Sequence, residues 1–76
     1  MDAGTIEALI RAELPDADIE VDDMRGDGQH YAARVTSTRF RGLSRLDQHR
    51  MVFKELEGHI GQDLHAFQLS THTGDE

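Results

Sequence analysis

Apolar residues at the start of the chain recur at steps of three and four, the spacing of one helical face. The residues that share this face are Ile6, Leu9, Ile10 and Leu14. We expect a helix from about Asp2 to Leu14, with Asp2 as its cap or as an acid that complements its positive end. Pro15 ends the helix, because a residue before proline is disfavoured in the helical conformation.

The next apolar positions alternate with polar ones, as they do in half-buried strands. Ile19 and Val21 alternate with acids and predict a first strand. A second strand is expected from about His30 to Thr38, with three residues on one face: Tyr31, Ala33 and Val35. The glycine-rich segment Arg25–Gln29 predicts a mobile turn between them, so the two strands are expected to form an antiparallel hairpin.

After a polar turn from Thr38 to Gly42, the apolar spacing becomes helical again. Ser44 is expected to cap this helix. The predicted buried stripe, widened by Met51 and Val52, contains Leu46, His49, Phe53, Leu56 and Ile60. A turn after the helix leads to a third strand from Leu64 to His72, in which one face carries His65, Phe67 and Leu69.

Composition limits the class of protein. Seventy-six residues predict one domain, 1–76, with a loose polar tail at about 74–76. The absence of cysteine excludes disulfides and fits a reducing compartment. No apolar run approaches the roughly 18 residues of a membrane-spanning helix, and the acidic start lacks the features of a signal peptide. We therefore expect a soluble, cytoplasmic protein that does not enter the membrane.

Charge is distributed unevenly along the chain, whose net charge is −7. From Arg34 to Lys54 there are six basic residues and one acid, whereas the rest has two arginines and fourteen acids. Overall acidity disfavours nonspecific binding to nucleic acid, which requires phosphate neutralisation. The basic stretch could still form a solvated helix face, or contact an acidic partner, a glutathione carboxylate or a phosphate backbone.

Three segments of the sequence together resemble the BolA family: Gly26–Tyr31, Phe40–Phe53 and Leu64–Phe67. The resemblance covers nearly the whole chain, from Ile6 through Thr73. It implies an α+β fold of the BolA, KH-like (class II) type, αββαβ, with a three-stranded mixed sheet and helices packed on one face. It also implies an adaptor rather than an enzyme. Such an adaptor binds a monothiol glutaredoxin and shares or transfers a [2Fe-2S] cluster, together with glutathione, in iron–sulfur or iron homeostasis.

Two histidines carry this expectation. His65 matches the family's C-terminal histidine, which the resemblance implies as a cluster ligand, and His30 matches the histidine in the loop of histidine-type members. A chain without cysteine offers a cluster only nitrogen or oxygen ligands, so the sulfur ligands must come from elsewhere. A strand–helix–strand crossover makes strands two and three parallel, and both then start at the same end of the sheet. We expect His30 and His65 to lie within about 5–10 Å of each other.

The other histidines have less specific interpretations. His49 lies on the helical stripe and is predicted to be structural, whereas His59 and His72 lie at element ends and are predicted to be exposed. A zinc site formed by His30, His65 and His72 is a weaker alternative, because no closely spaced ligand pair supports it. Gly26–Gly28 is interpreted as a hairpin turn, since it precedes a strand and falls far short of a phosphate-binding fingerprint.

Two further functions stay open at the level of sequence. The KH-like fold suggests a nucleic-acid-binding regulator of transcription or of stress morphology, in which DNA contacts the basic residues Arg39, Arg41, Arg45 and Arg50. The segment around Arg39–Gly42 lacks the Gly-x-x-Gly signature of KH proteins proper. The third function is an interaction module without metal, whose helix Leu43–Ile60 provides the docking face.

Overall fold

The predicted order of helices and strands is present in the computed structural model, which describes residues 1–62, 64 and 66–75. Its elements are α1 (Ala3–Glu13), β1 (Asp18–Asp23), β2 (His30–Thr36), a 3₁₀ turn (Thr38–Phe40), α2 (Arg45–Leu56) and β3 (Ala66–His72). The chain is therefore αββαβ, as the sequence predicts. Neither helix in the described part of the chain is long and apolar enough to cross a membrane.

Both helices begin at the caps expected from the sequence. The Asp2 carboxylate accepts a hydrogen bond from the Thr5 backbone N–H at 2.7 Å, and the Ser44 hydroxyl accepts one from the Asp47 backbone N–H at 3.1 Å. These bonds satisfy N–H groups that have no partner within the first helical turn. Helix α1 ends just before Leu14 and Pro15, where the sequence predicts its end.

The sheet is mixed, with β2 at its centre. Strand β1 pairs antiparallel with β2, and β3 pairs parallel with β2. The register aligns His30 with Ala66 at one end of the parallel pair and Thr36 with His72 at the other. The connection through α2 makes this parallel pairing possible, since parallel strands need a long crossover.

The core lies between the helices and one face of the sheet. Its buried residues lie in α1, β2, the 3₁₀ turn and α2 and in the adjoining connections: Ile6, Ile10, Leu14, Ala17, Tyr31, Ala33, Val35, Phe40, Val52, Leu56 and Leu64. Phe67 and Leu69 of β3 pack against it from the same side. On the other face of β2, Arg34 is exposed and His30 is only partly buried. The predicted division of the sheet into a covered and an uncovered face is confirmed.

The segment after β2 differs from its prediction. The strand ends at Thr36, and the Ser37 hydroxyl caps a 3₁₀ turn by accepting a hydrogen bond from the Arg39 backbone N–H at 3.1 Å. Phe40, which the sequence places in a polar turn, is completely buried. The short turn brings this aromatic ring back over the core, a tertiary arrangement that spacing along the chain does not predict.

The buried face of α2 also differs from the predicted stripe. Val52 and Leu56, four residues apart, are fully buried, whereas Leu46 is 59% exposed. Ile60 is 39% exposed because the helix ends at Leu56, before the stripe is complete. The helix is therefore rotated toward Val52, since four-residue spacing puts Val52 and Leu56 on the same side.

Candidate functional site

The predicted site lies where β2 and β3 both begin. The backbone of this end is held from both sides: the Met24 N–H donates to the His30 carbonyl at 2.8 Å, and the Ala66 N–H donates to the Gln29 carbonyl at 2.9 Å. His30 and Ala66 are partners in the parallel register. We use "the His30 end" for residues 23–31 together with Ala66.

The turn before His30 is organised by one carboxylate. The Asp23 side chain accepts hydrogen bonds from the backbone N–H groups of Arg25 at 3.3 Å, Gly26 at 2.9 Å and Gly28 at 2.9 Å. Gly26 and Gly28 both have a φ of 71°, a conformation that residues with a Cβ rarely adopt. The glycines allow the backbone to wrap around the Asp23 carboxylate. The turn therefore has a defined conformation that its hydrogen bonds to Asp23 hold in place.

A second carboxylate contacts the His30 ring. Asp27 Oδ2 lies 3.0 Å from His30 Nδ1, and Asp27 Oδ1 accepts a hydrogen bond from the Gln29 backbone N–H at 2.9 Å. The Gln29 bond, assisted by His30, holds the pKa of Asp27 below its usual value. The His30 side chain is only 20% exposed. Asp27 therefore remains ionised at neutral pH and restrains the imidazole beside the strand end.

Tyr31 is a residue of this end that the sequence analysis did not single out as functional. Its buried hydroxyl donates a hydrogen bond to the Met1 carbonyl at 2.7 Å and so attaches the N terminus to the His30 end. Burial, and then the nearby carboxylates Asp23, Asp2 and Asp27, raise the pKa of Tyr31 above its usual value. The sequence signal was only a tyrosine on the apolar face of β2.

His65 lies outside the described residues, so its predicted approach to His30 stays a prediction. The described neighbours show what that prediction requires. Phe67 and Leu69, with which His65 is predicted to share a face, pack toward the core, whereas His30 belongs to the uncovered face of β2.

The opposite end of the parallel pair contradicts the zinc alternative. His72 is aligned with Thr36, six residues along β2 from His30, which corresponds to about 20 Å. His30 and His72 therefore cannot bind one zinc ion. No group of three His, Cys, Asp or Glu residues within the described chain is arranged to hold a metal ion. His59 and His72 are partly buried, not exposed as predicted.

A polar groove of about 400 Å³ lies between the first half of α2 and the end of β3. We use "the groove" for its lining residues, Arg45, His49, Leu69, Ser70, Thr71 and His72. His49 packs against Phe53 with ring centroids 6.5 Å apart, and Phe53 meets Phe67 edge-on at 5.6 Å. The His49 ring thus combines a packing contact with a position on the groove wall.

The four predicted basic contact residues differ in their partners. Arg39 donates to the Glu13 carbonyl at 3.2 Å, and Arg50 lies 3.5 Å from Asp47. No acidic partner is found for Arg45 among the described residues, and its side chain lines the groove. Arg45 is therefore the member of this set that is best placed to meet an anionic group.

Arg41 is paired with the C-terminal tail. Its guanidinium contacts the Asp75 carboxylate at 2.9 Å. Asp75 also accepts a hydrogen bond from the Thr73 hydroxyl, and this bond, more than Arg41, holds the pKa of Asp75 below its usual value. Asp75, placed in the predicted loose tail, thus has two partners in the folded protein.

Comparison with known proteins places this geometry in a family. The family model described as "BolA-like protein" matches residues 10–76. The chain belongs to the BolA family. It is 30% identical to the uncharacterised protein RP812 of Rickettsia prowazekii over 91% of this chain and 90% of the relative. The structure of a BolA homologue from Coxiella burnetii matches with a TM-score of 0.79 at 32% identity, covering 99% of this chain and 94% of that one.

Several named relatives are matched by this chain over only part of their own length. The DNA-binding transcriptional regulator BolA of Vibrio cholerae is 35% identical over 68% of this chain and 49% of that protein. The chain spans about 60% of the length of the mouse and human relatives named BolA-like protein 1. The family match over residues 10–76 includes both the His30 end and the groove, whereas the activities of the longer proteins are not transferred with it.

Proposed function

We propose that this BolA-family protein is a cytoplasmic adaptor, not an enzyme, that binds a monothiol glutaredoxin and shares or transfers a [2Fe-2S] cluster in iron–sulfur or iron homeostasis. The observation that carries the proposal is the placement of His30. Its imidazole stands at the common start of β2 and β3, opposite Ala66, and is held by Asp27. A histidine oriented by a carboxylate at the end of a rigid strand is a typical arrangement for a metal ligand.

The donor set of the chain fits a shared cluster. With no cysteine in the chain, thiolates for the cluster come from the glutaredoxin and from glutathione, while His30 and His65 supply imidazole nitrogens. The ligand role of His65 rests on the family resemblance. Exchange of thiolate for imidazole raises the reduction potential of a cluster and makes its binding sensitive to acid, because a protonated imidazole does not coordinate.

The groove supports contact with the partner. Arg45 and two histidines, His49 and His72, line it together with the hydroxyls of Ser70 and Thr71. These side chains are hydrogen-bond donors suited to a carboxylate, including that of glutathione or of an acidic segment of the glutaredoxin. Local positive charge on an acidic protein orients such a partner more than it adds affinity.

The proposal is tested by mixing the protein with cluster-loaded monothiol glutaredoxin. We expect a heterodimer on a sizing column and changed visible absorption and circular dichroism, since imidazole ligands alter the electronic environment of the iron. His30→Ala and His65→Ala should diminish the spectral change. His72→Ala is the matched control for ligation only, because this histidine lies about 20 Å from His30. As a groove residue it should affect the amount of heterodimer, whereas the spectrum per heterodimer should stay the same.

Two results would contradict the adaptor function. One is an unchanged spectrum with no heterodimer. The other is a heterodimer that forms equally well with apo-glutaredoxin and that, with cluster-loaded glutaredoxin, has a visible spectrum that neither His30→Ala nor His65→Ala changes. The latter result would support the interaction module without metal.

A second candidate is a DNA-binding regulator, which is favoured by the name of the Vibrio cholerae relative, a DNA-binding transcriptional regulator, and by Arg45 in the groove. The net charge of −7 and the pairing of Arg41 and Arg50 with carboxylates oppose it. DNA binding that weakens steeply with salt and is lost on Arg45→Gln would support this candidate. Absence of binding at low salt would exclude it.

A further inference from the structure

Asp27 contacts both the backbone of its own turn and the ring of His30. Oδ1 accepts the Gln29 backbone N–H at 2.9 Å, and Oδ2 lies 3.0 Å from His30 Nδ1. The Asp23 carboxylate cannot replace it, because its own oxygens accept three backbone N–H groups of the same turn. Each carboxylate at the His30 end thus has a separate task, and that of Asp27 includes the imidazole.

The chemistry of the two groups determines where the imidazole proton lies. An ionised carboxylate can only accept hydrogen bonds, so the ring nitrogen beside it must carry a proton. In a neutral imidazole the lone pair then lies on the other nitrogen, Nε2. The observed distance of 3.0 Å is that of a hydrogen bond from Nδ1–H to the carboxylate.

We infer that Asp27 is a positioning residue that holds neutral His30 as the Nδ1–H tautomer and thereby selects Nε2 as its coordinating nitrogen. The coordinating part of this inference rests on the proposed function, whereas the tautomer is a property of the chain alone. With a neutral imidazole the contact is a hydrogen bond to a carboxylate and not an ion pair. Its value lies in ring orientation, because outer carboxylates tune metal-bound histidines in this way.

The substitution Asp27→Asn tests the tautomer directly. The amide oxygen of the new side chain can still accept the Gln29 N–H, but its NH₂ group then faces His30 Nδ1 and requires that nitrogen to accept. The imidazole proton should therefore move to Nε2. We would measure the ring ¹⁵N shifts of His30 in the metal-free protein, at a pH well above the ordinary imidazole pKa of about 6.5.

The expected result is a predominant Nδ1–H tautomer in the natural protein and a predominant Nε2–H tautomer in Asp27→Asn. Asp22→Asn is the matched control, since it removes the same charge from the neighbouring strand β1, where Asp22 is aligned with Ala32. It should leave the tautomer unchanged. A predominant Nε2–H tautomer in the natural protein, or a tautomer that does not respond to Asp27→Asn, would overturn the inference.

The effect on the cluster separates this inference from the function on which it rests. Asp27→Asn should weaken retention of the shared cluster by about tenfold or more, the usual effect of losing an outer carboxylate. Equal retention in the natural protein and in Asp27→Asn would reject the positioning role while leaving the adaptor function in place. If the natural protein acquires no cluster, the adaptor function fails, and the ring spectra still decide the tautomer.

Discussion

His30 and His72 occupy opposite ends of the same parallel strand pair and have different hydrogen-bond partners. His30 Nδ1 faces the Asp27 carboxylate, whereas His72 Nε2 faces the Ser70 hydroxyl at 2.7 Å. A carboxylate only accepts, but a hydroxyl both donates and accepts. The Asp27 carboxylate therefore determines which nitrogen beside it carries the ring proton, whereas a hydroxyl such as that of Ser70 accepts either tautomer. The two histidines of this strand pair therefore differ in their hydrogen bonding because their neighbouring side chains differ.

The two ends also differ in how they are held together. The turn of the His30 end is held by polar contacts, namely the Asp23 carboxylate with its backbone N–H groups and the Tyr31 hydroxyl with Met1, while the Tyr31 ring belongs to the core. The His72 end depends on buried apolar surface, since Phe40 lies beneath the 3₁₀ turn that follows β2. Substitutions at the apolar end should therefore affect stability most, whereas those at the polar end should affect local order and the site.

The largest expected effect is that of Phe40→Ala. Removal of a completely buried aromatic ring should lower the free energy of unfolding by about 3–5 kcal/mol, through lost burial and a residual cavity. Urea denaturation measures this change. Leu46→Ala is the control, because Leu46 is 59% exposed and its truncation should change stability by no more than about 0.5 kcal/mol. Similar losses in both variants would contradict the described packing.

A smaller and more local effect is expected for Asp23→Ala. Loss of this carboxylate leaves three backbone N–H groups of the turn without their acceptor, so the His30 end should lose order while the core stays folded. Faster amide hydrogen exchange at Arg25, Gly26 and Gly28 measures the effect. Asp22→Ala should leave these exchange rates unchanged. Faster exchange spread evenly over the chain would show that the two ends are not independent.

Tyr31→Phe should cost less than either change, about the net contribution of one hydrogen bond, because only the bond to the Met1 carbonyl is lost. Thermal denaturation of the variant measures the loss, and amide exchange near the N terminus should increase. An unchanged N terminus in Tyr31→Phe would mean that the hydroxyl does not hold it.

Tyr31 also predicts a dependence of stability on pH. Its pKa is raised in the folded protein, so the folded state binds the phenolic proton more tightly than the unfolded chain. This contribution is complete below the ordinary pKa of 10.0 and is lost as the pH rises through the folded value. Tyr31 is the sole tyrosine and the chain has no tryptophan, so tyrosinate absorbance follows this group directly. Tyr31→Phe should remove its part of the alkaline loss of stability.

The smallest effect is expected for His72→Ala. This side chain lines the groove and bonds to Ser70 without belonging to the core, so stability should change by no more than about 0.5 kcal/mol. The His30 ring spectrum should not change, because the two histidines are about 20 Å apart. A change in the His30 tautomer would reveal coupling along the strand pair.

The order of elements followed from local features of the sequence. The caps Asp2 and Ser44, the stop at Pro15 and the alternation around Tyr31 are short-range signals, and the structure contains each of them. The parallel pairing of β2 with β3 followed from the crossover rule, which put His30 at the end where β3 begins. Steric and hydrogen-bonding preferences within a few residues carry this information.

The burial of Phe40 and the rotation of α2 toward Val52 were decided by the tertiary structure, because each depends on groups that meet after the chain has folded back on itself. The contact of Asp27 with His30 spans only three residues and depends on the backbone conformation of the turn, which its composition did not predict. Apolar spacing alone placed both Val52 and Leu46 on the predicted buried stripe, although only Val52 is buried. The glycine content of the turn did not reveal that the Asp23 carboxylate would bind its backbone N–H groups. The amino-acid sequence determined which elements form and which histidines could act. Packing and hydrogen bonding in three dimensions determined how one of those imidazoles is held.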